Sequence, residues 1–101
     1  MKKEIKDYQN IHLIGIGGAS MYSIAAMLKH DGKTVTGSDM QESDNTKYLE
    51  SIGIPVVIGH DTKIVNQADL VIYTAAIHDS DEELFFARSH EIETVERAEF
   101  L

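Results

Sequence analysis

Apolar and polar positions along this chain follow two alternating rhythms. Short runs in which nearly every residue is apolar, such as IHLIGI (Ile11–Ile16), give way to longer stretches with apolar residues every three or four positions. The first rhythm is that of a strand buried on both faces, the second that of a helix with one buried side. Ile11–Ile16 therefore predicts a first strand. The following GASMYSIAAMLKHDG predicts a helix, with Met21, Ile24, Ala25 and Leu28 at helical spacing and Gly32 as its stop. Lys33–Asp39 predicts a second strand ending in small polar residues, and Ser43–Gly53 a second helix that opens on capping residues and closes on glycine. Pro55–Gly59 predicts a third strand. A brief helical or loop segment separates it from the clearest strand of the chain, Ala68–Ala76. Ser80–His90 predicts a helix with Ser80 as cap and Asp81, Glu82 and Glu83 in its first turn, where the helix dipole favours acids. Ile92–Val95 predicts a fifth strand, with the start of another helix after it.

Strands alternating with helices in this way predict an α/β fold: a Rossmann-like, doubly wound, mainly parallel five-stranded sheet with helices on both faces. Ligands of such sheets bind beyond the carboxyl ends of the strands. Four predicted strand ends carry small or polar residues, namely Gly15–Ser20, Ser38–Asp39, Gly59–His60 and Thr74–Ile77. They are read as one site.

Bulk properties narrow what that site takes. A chain of 101 residues fits one domain. The net charge of −8 argues against a nucleic-acid backbone or an anionic membrane as partner. Any phosphate would have to be bound locally, through backbone N–H groups. The chain has no cysteine, which excludes disulfides, thiolate metal sites and a cysteine nucleophile. No apolar run approaches the ~20 residues of a membrane span, so a cytoplasmic location is expected.

Gly15, Gly17 and Ser20 occupy the three marked positions of G-x-G-x-x-G, with serine in place of the last glycine. Gly15 permits a sharp exit from the strand and Gly17 a close approach of backbone to phosphate. Free N–H groups from Gly18 to Met21 would face the anion, and the Ser20 hydroxyl could add a donor. On this basis Gly17→Val is expected to abolish binding and leave the domain folded. Asp39 stands where a dinucleotide-binding sheet holds a ribose hydroxyl. His60 could meet a base, a phosphate or solvent. His12 reads as a packed or edge histidine, and His30, His78 and His90 as surface residues. Phe85 and Phe86 read as core or partner contacts. The acids at positions 79, 81, 82 and 83 read as helix-capping residues rather than metal ligands. No G-x-x-x-x-G-K-[ST] occurs, and no nucleophile, base and orienting group cluster near the glycine loop. The residues thus point to a binding domain with no catalytic residue of its own. Whether the phosphate belongs to a dinucleotide or to another diphosphate they leave open.

Several stretches, in order, resemble the N-terminal domain of the Mur ligases. IHLIGIGGASM is similar to the family's I-H-x-x-G-I-G-G-x-G-M, followed by Ile24–Ala25; VTGSD to its G-S-D; GIPVVIGH to G-x-x-[VI]-x-x-G-H; VIYTAAI to [ST]-x-A-I; and ERAEFL to R-A-E-x-L. The likeness spans nearly the whole chain and is nearest to the members that join L-alanine to UDP-N-acetylmuramate. It implies a Rossmann-like domain holding the UDP portion of UDP-N-acetylmuramate. Separate ATPase and C-terminal domains, absent from residues 1–101, would carry ATP, Mg²⁺ and the amino acid. In the implied reaction ATP activates the muramoyl carboxylate as an acyl phosphate, which the amine then attacks. Carried over, Gly15, Gly17, Gly18, Ala19, Ser20 and Met21 would face the diphosphate, and Ser38, Asp39, His60, Thr74, Ala75 and Ile77 would line the uridine and ribose pocket. The chain departs from the family at Ser20, Tyr22 and Ser23, where Gly, Ser and Gly are usual; the change stiffens the loop and adds bulk. Alternative readings are an NAD-binding or sensing module, the related ligase that reattaches recycled murein peptides, and a scaffolding remnant without ligand affinity.

Overall fold

The computed structural model describes residues 4–100; Leu101, the last residue of the ERAEFL motif, lies outside them. After a 3-10 turn at Ile5–Asp7, strands and helices alternate: β1 (Asn10–Ile14), α1 (Met21–His30), β2 (Thr34–Asp39), α2 (Asp44–Ser51) and β3 (Val56–Ile58). The second half follows as α3 (Thr62–Val65), β4 (Leu70–Tyr73), α4 (Glu82–Ser89), β5 (Glu93–Glu96) and α5 (Arg97–Phe100). The strands form a single sheet in the order β3-β2-β1-β4-β5, with every neighbouring pair parallel. The chain winds outward from β1 to one edge, then crosses back to β4 and winds to the other. This is the doubly wound α/β fold expected from the alternation, with a reversal between β1 and β4.

Side-chain alternation explains why both faces are covered. In β1, Ile11 and Leu13 point to one face, where Met21, Ile24, Ala25 and Leu28 of α1 and Leu49 of α2 complete the larger core. Ile14 and, from β4, Val71 point to the other, against Val65 of α3 and Leu84 and Ala87 of α4. The same period puts His12 of β1 and its register partner Thr36 of β2 on that second face.

Strand bounds shift from the sequence expectation, most of all at β4, which is Leu70–Tyr73 rather than Ala68–Ala76, and three differences bear on the site. β1 ends at Ile14 rather than Ile16, because Gly15 takes a φ of +76° and turns the chain. The N–H groups of Gly15 and Ile16 then both donate to the Ser38 carbonyl, at 2.8 and 2.9 Å. Ile16 remains fully buried, lying over Gly37 of β2, where a Cβ would stand 2.6 Å from its own Cβ. Helix α1 starts at Met21 rather than Gly18, with successive turns filling the gap. Helix α4 is capped by Asp81, not Ser80: the Asp81 carboxylate accepts from the N–H of Glu83 and of Leu84, satisfying two otherwise orphaned donors.

Candidate functional site

The carboxyl ends of the strands enclose a cavity of about 120 Å³. Five of the residues expected to face the diphosphate or the nucleoside line it: Gly15, Ser38, Asp39, His60 and Ile77. They are joined by Ile14, Met40, Gly59 and Asp81. A larger hollow of about 340 Å³ at the opposite end of the sheet is walled by the carboxylates of Asp7, Asp69, Glu91 and Glu93, a poor environment for a phosphate.

The glycine loop is tied down from several directions. The Gly17 N–H donates to Asp39 Oδ2 at 2.9 Å, and the Gly17 carbonyl accepts from Asn45 Nδ2 at 2.9 Å. A Cβ on Gly17 would lie 2.9 Å from both Asp39 Oδ2 and Thr46 Cγ2. Glycine is therefore required here by the second strand end and by α2, whatever ligand approaches. Gly18 and Met21 are also committed, donating to the carbonyls of Gly15 and Gly18. Among the described residues, the N–H groups of Ala19 and Ser20 are left without a protein acceptor, and the Ser20 hydroxyl makes no capping bond. The donors expected along the whole loop thus reduce to this pair. Met21 is a core residue, only 1% exposed, so its side chain does not face the cavity.

The departures from the family pattern fall largely outside the cavity. The Tyr22 ring meets Tyr48 of α2 edge-on, with centroids 6.4 Å apart. Ser23 is exposed and donates to the Ser20 carbonyl. Of the residues after β4, the Ile77 N–H closes a turn on the Thr74 carbonyl, and Ile77 Cδ1 comes within 3.8 Å of the Cβ position of Gly15. Thr74 is half-buried and Ala75 exposed, and neither lines the cavity. Arg88 pins this loop from α4: it donates to Asp79 Oδ1 at 2.7 Å and to the Tyr73 hydroxyl at 3.1 Å.

Beneath the cavity lies a polar network that the sequence reading missed. Glu83 is not a surface acid but a fully buried one. Its Oε1 accepts from the Ser38 hydroxyl at 2.5 Å and sits 2.9 Å from His12 Nε2; its Oε2 accepts from the Asp61 N–H at 2.8 Å. Burial alone would push the Glu83 carboxyl up, but the bond to and the charge of His12, with the Ser38 and Asp61 bonds, outweigh it and hold the group below its ordinary range. An ionised carboxylate only accepts, so His12 carries a hydrogen on Nε2, while its Nδ1 pairs with the Thr36 hydroxyl at 2.8 Å. His12 is accordingly a packed histidine on a central strand. Two signals existed in the sequence: a histidine inside an apolar strand needs a buried partner, and Glu83 shares a helix face with Leu84 and Ala87.

Known proteins are similar to this chain in sequence and fold. The model of the Mur ligase family, catalytic domain, matches residues 10–101. The UDP-N-acetylmuramate–L-alanine ligase of Clostridium novyi (strain NT) is 50% identical over 93 residues, covering 92% of this chain and 20% of that protein. The ligase of the same description from Clostridium botulinum (strain Eklund 17B / Type B) is 47% identical over 98 residues, covering 96% of this chain and 21% of its own length. The chain thus spans about a fifth of the curated relatives it matches. Among solved structures, UDP-N-acetylmuramate–alanine ligase from Thermotoga maritima superposes with a TM-score of 0.86 at 33% identity, over 92% of this chain and 21% of that one. The UDP-N-acetylmuramate:L-alanyl-gamma-D-glutamyl-meso-diaminopimelate ligase of Neisseria meningitides gives 0.78 at 26%, over 87% and 28%. With its strand order, its glycine loop and a family match over nearly its whole length, this chain belongs to the Mur ligase family.

Proposed function

We propose that this chain is the UDP-binding domain of an ATP-dependent ligase that joins L-alanine to UDP-N-acetylmuramate in peptidoglycan synthesis, a cytoplasmic process. The observation that carries the reading is the meeting of Gly15, Ser38, Asp39, His60 and Ile77 around one cavity, with the free Ala19 and Ser20 N–H groups on the loop next to it. Two adjacent backbone donors at the start of α1, aided by the helix dipole, hold a diphosphate without a cationic side chain. That suits a protein of net charge −8. Asp39 Oδ1 accepts from the Gln41 N–H at 3.2 Å and keeps a second acceptor position for a ribose hydroxyl, while Oδ2 holds the loop through Gly17. Ile77 supplies an apolar wall, and His60 a polar tip for the base.

ATP and Mg²⁺ do not fit the residues of this chain. It lacks a G-x-x-x-x-G-K-[ST] loop, and among the described residues no three His, Asp or Glu side chains converge as a cation would require. Nucleotide activation and capture of the amine would be the work of further domains of the longer protein. The assignment to L-alanine addition rather than murein-peptide addition rests on identities of 43–52% to curated L-alanine ligases and, among solved structures, on 33% to the alanine ligase of Thermotoga against 26% to the ligase of Neisseria.

An amide NMR titration of the chain with UDP-N-acetylmuramate, compared with UDP, NAD and ATP, tests the reading. Shifts centred on Ala19, Ser20, Asp39 and His60, and strongest for the two UDP compounds, are the expected result. A preference for NAD, or no response to any of the four, overturns it.

A further inference from the structure

His60 stands at the cavity wall with its side chain 25% exposed and its two ring nitrogens in different surroundings. Nε2 faces the open side, 3.9 Å from Asp81 Oδ2. Nδ1 is buried and has no hydrogen-bond partner; Glu83 Oε2 is 4.0 Å away. An ionised carboxylate offers about four acceptor positions. Three of those on Glu83 are taken, by His12, Ser38 and Asp61, and the fourth is on the oxygen nearest His60. We propose that Glu83 is a positioning residue that fixes His60 as its Nδ1–H tautomer and leaves Nε2 as a bare acceptor at the cavity wall.

The argument is one of satisfiability. A buried nitrogen without a partner is costly, and the nearby carboxylate can accept but not donate. Nδ1 is therefore satisfied only when it carries the hydrogen, which a shift of about 1 Å would bring to bonding distance of Oε2. The opposite tautomer would set a bare Nδ1 lone pair against a carboxylate and leave both unsatisfied. Asp81 competes for the hydrogen at Nε2, but weakly, because that side is open and solvent can satisfy both groups. Glu83 itself cannot swing away, since β1, β2 and the loop before α3 each hold one of its positions. Helix α4 thus dictates, through a residue that never reaches the cavity, which hydrogen-bonding face His60 shows there. A bare Nε2 selects a ligand group that donates, such as the imide N–H of a uracil or a sugar hydroxyl, over one that only accepts. This last consequence rests on the UDP-binding reading above; the tautomer does not.

Long-range ¹H–¹⁵N correlations on the ¹⁵N-histidine-labelled 101-residue chain test it directly, about two units above the ordinary histidine pKa of roughly 6.5. For His60, Nδ1 is expected at the shift of a protonated ring nitrogen and Nε2 at that of an unprotonated one. The reverse pattern in the wild-type chain overturns the proposal without need of any variant. Glu83→Gln cannot accept at all four positions, and it is expected to move the tautomer ratio at least about tenfold toward Nε2–H. Asp81→Asn, which removes the competitor, is expected to leave the ratio in favour of Nδ1–H. A switch in Asp81→Asn instead would assign the control to Asp81 and refute the role of Glu83. Added UDP separates the two readings: failure to bind UDP with the Nδ1–H pattern intact overturns the proposed function alone.

Discussion

The Gly17 N–H and the Asp39 carboxylate are joined by a 2.9 Å hydrogen bond, so the turn after β1 and the end of β2 form one rigid unit. Asp39 is read first as a ribose ligand, yet one of its oxygens is already spent on shaping the loop. Through Asn45 the start of α2 holds the same residue by its carbonyl. The cavity wall is therefore preformed by contacts within the protein, which limits the ordering that a ligand must impose.

This bond changes what substitution at Gly17 should do. A Cβ would meet Asp39 Oδ2 and Thr46 Cγ2, each at 2.9 Å, before any ligand arrives. Even Gly17→Ala is expected to displace the loop and to destabilise the fold by about 1–3 kcal/mol. Loss of UDP binding should accompany that destabilisation rather than occur in an otherwise unperturbed domain, as loop sterics alone suggest for Gly17→Val. Urea unfolding alongside calorimetric titration with UDP distinguishes the two: unchanged stability with lost binding would favour the simpler view.

Ile16 and Gly37 form a reciprocal pair. Ile16 is completely buried over the bare face of Gly37, whose added Cβ would lie 2.6 Å from the Ile16 Cβ. Gly37→Ala is expected to cost about 1–3 kcal/mol by overpacking, and Ile16→Ala about 2–5 kcal/mol by leaving a void. Ile16→Ala removes Cγ1 and Cδ1, two of the three Ile16 atoms that the added Cβ would meet, and keeps the Cβ; part of the clash is relieved, so the double variant should be somewhat more stable than the sum of the two losses predicts. Denaturant midpoints of the four chains measure the coupling, and simple additivity would show that the contact carries no energy.

The cap of α4 offers a sharp contrast between neighbours. Asp81 accepts from the N–H groups of Glu83 and Leu84, whereas Ser80 is exposed. Asp81→Ala is expected to cost about 1–2 kcal/mol and to speed amide exchange at positions 83 and 84. Ser80→Ala should stay within about 0.5 kcal/mol of the parent chain. Equal effects would mean that the helix begins where the sequence alone suggests.

What was legible in the sequence is what local pattern determines. Continuous apolar runs at β1 and β4 mark strands covered on both faces, and the glycines after helices mark their ends. Together with the preference for right-handed crossovers these lead to a doubly wound parallel sheet, and the structure adds its order, β3-β2-β1-β4-β5. The collection of Gly15, Ser38, Asp39, His60 and Ile77 at one end follows from that order. Contacts between remote positions were not legible. A histidine inside an apolar strand calls for a buried partner but does not say that the partner lies 71 residues away, so Glu83 passed for one of several first-turn acids. Gly17 likewise has the spacing of a phosphate-loop glycine, while the side chains that crowd it come from β2 and α2. A motif shows that a small residue is needed but not what stands beside it.

The same buried acid makes stability depend on pH in a defined direction. The folded chain holds the Glu83 carboxyl below its ordinary value of about 4.5, so folding favours the ionised form. That contribution is fully present above about pH 4.5 and is lost as the pH falls through the lower folded value, where the native state must also take up the proton. Glu83→Gln removes it. At neutral pH the substitution leaves His12, Ser38 and the Asp61 N–H sharing an incomplete acceptor, and a cost of about 3–5 kcal/mol is expected. In acid the parent chain loses the advantage of the carboxylate while the variant has none to lose. The gap between them should therefore narrow as the pH drops below about 4.5. Urea unfolding of both chains from neutral pH to about pH 3 measures it. A gap that stays constant across that range would mean the carboxylate charge contributes nothing and that Glu83 acts by shape alone.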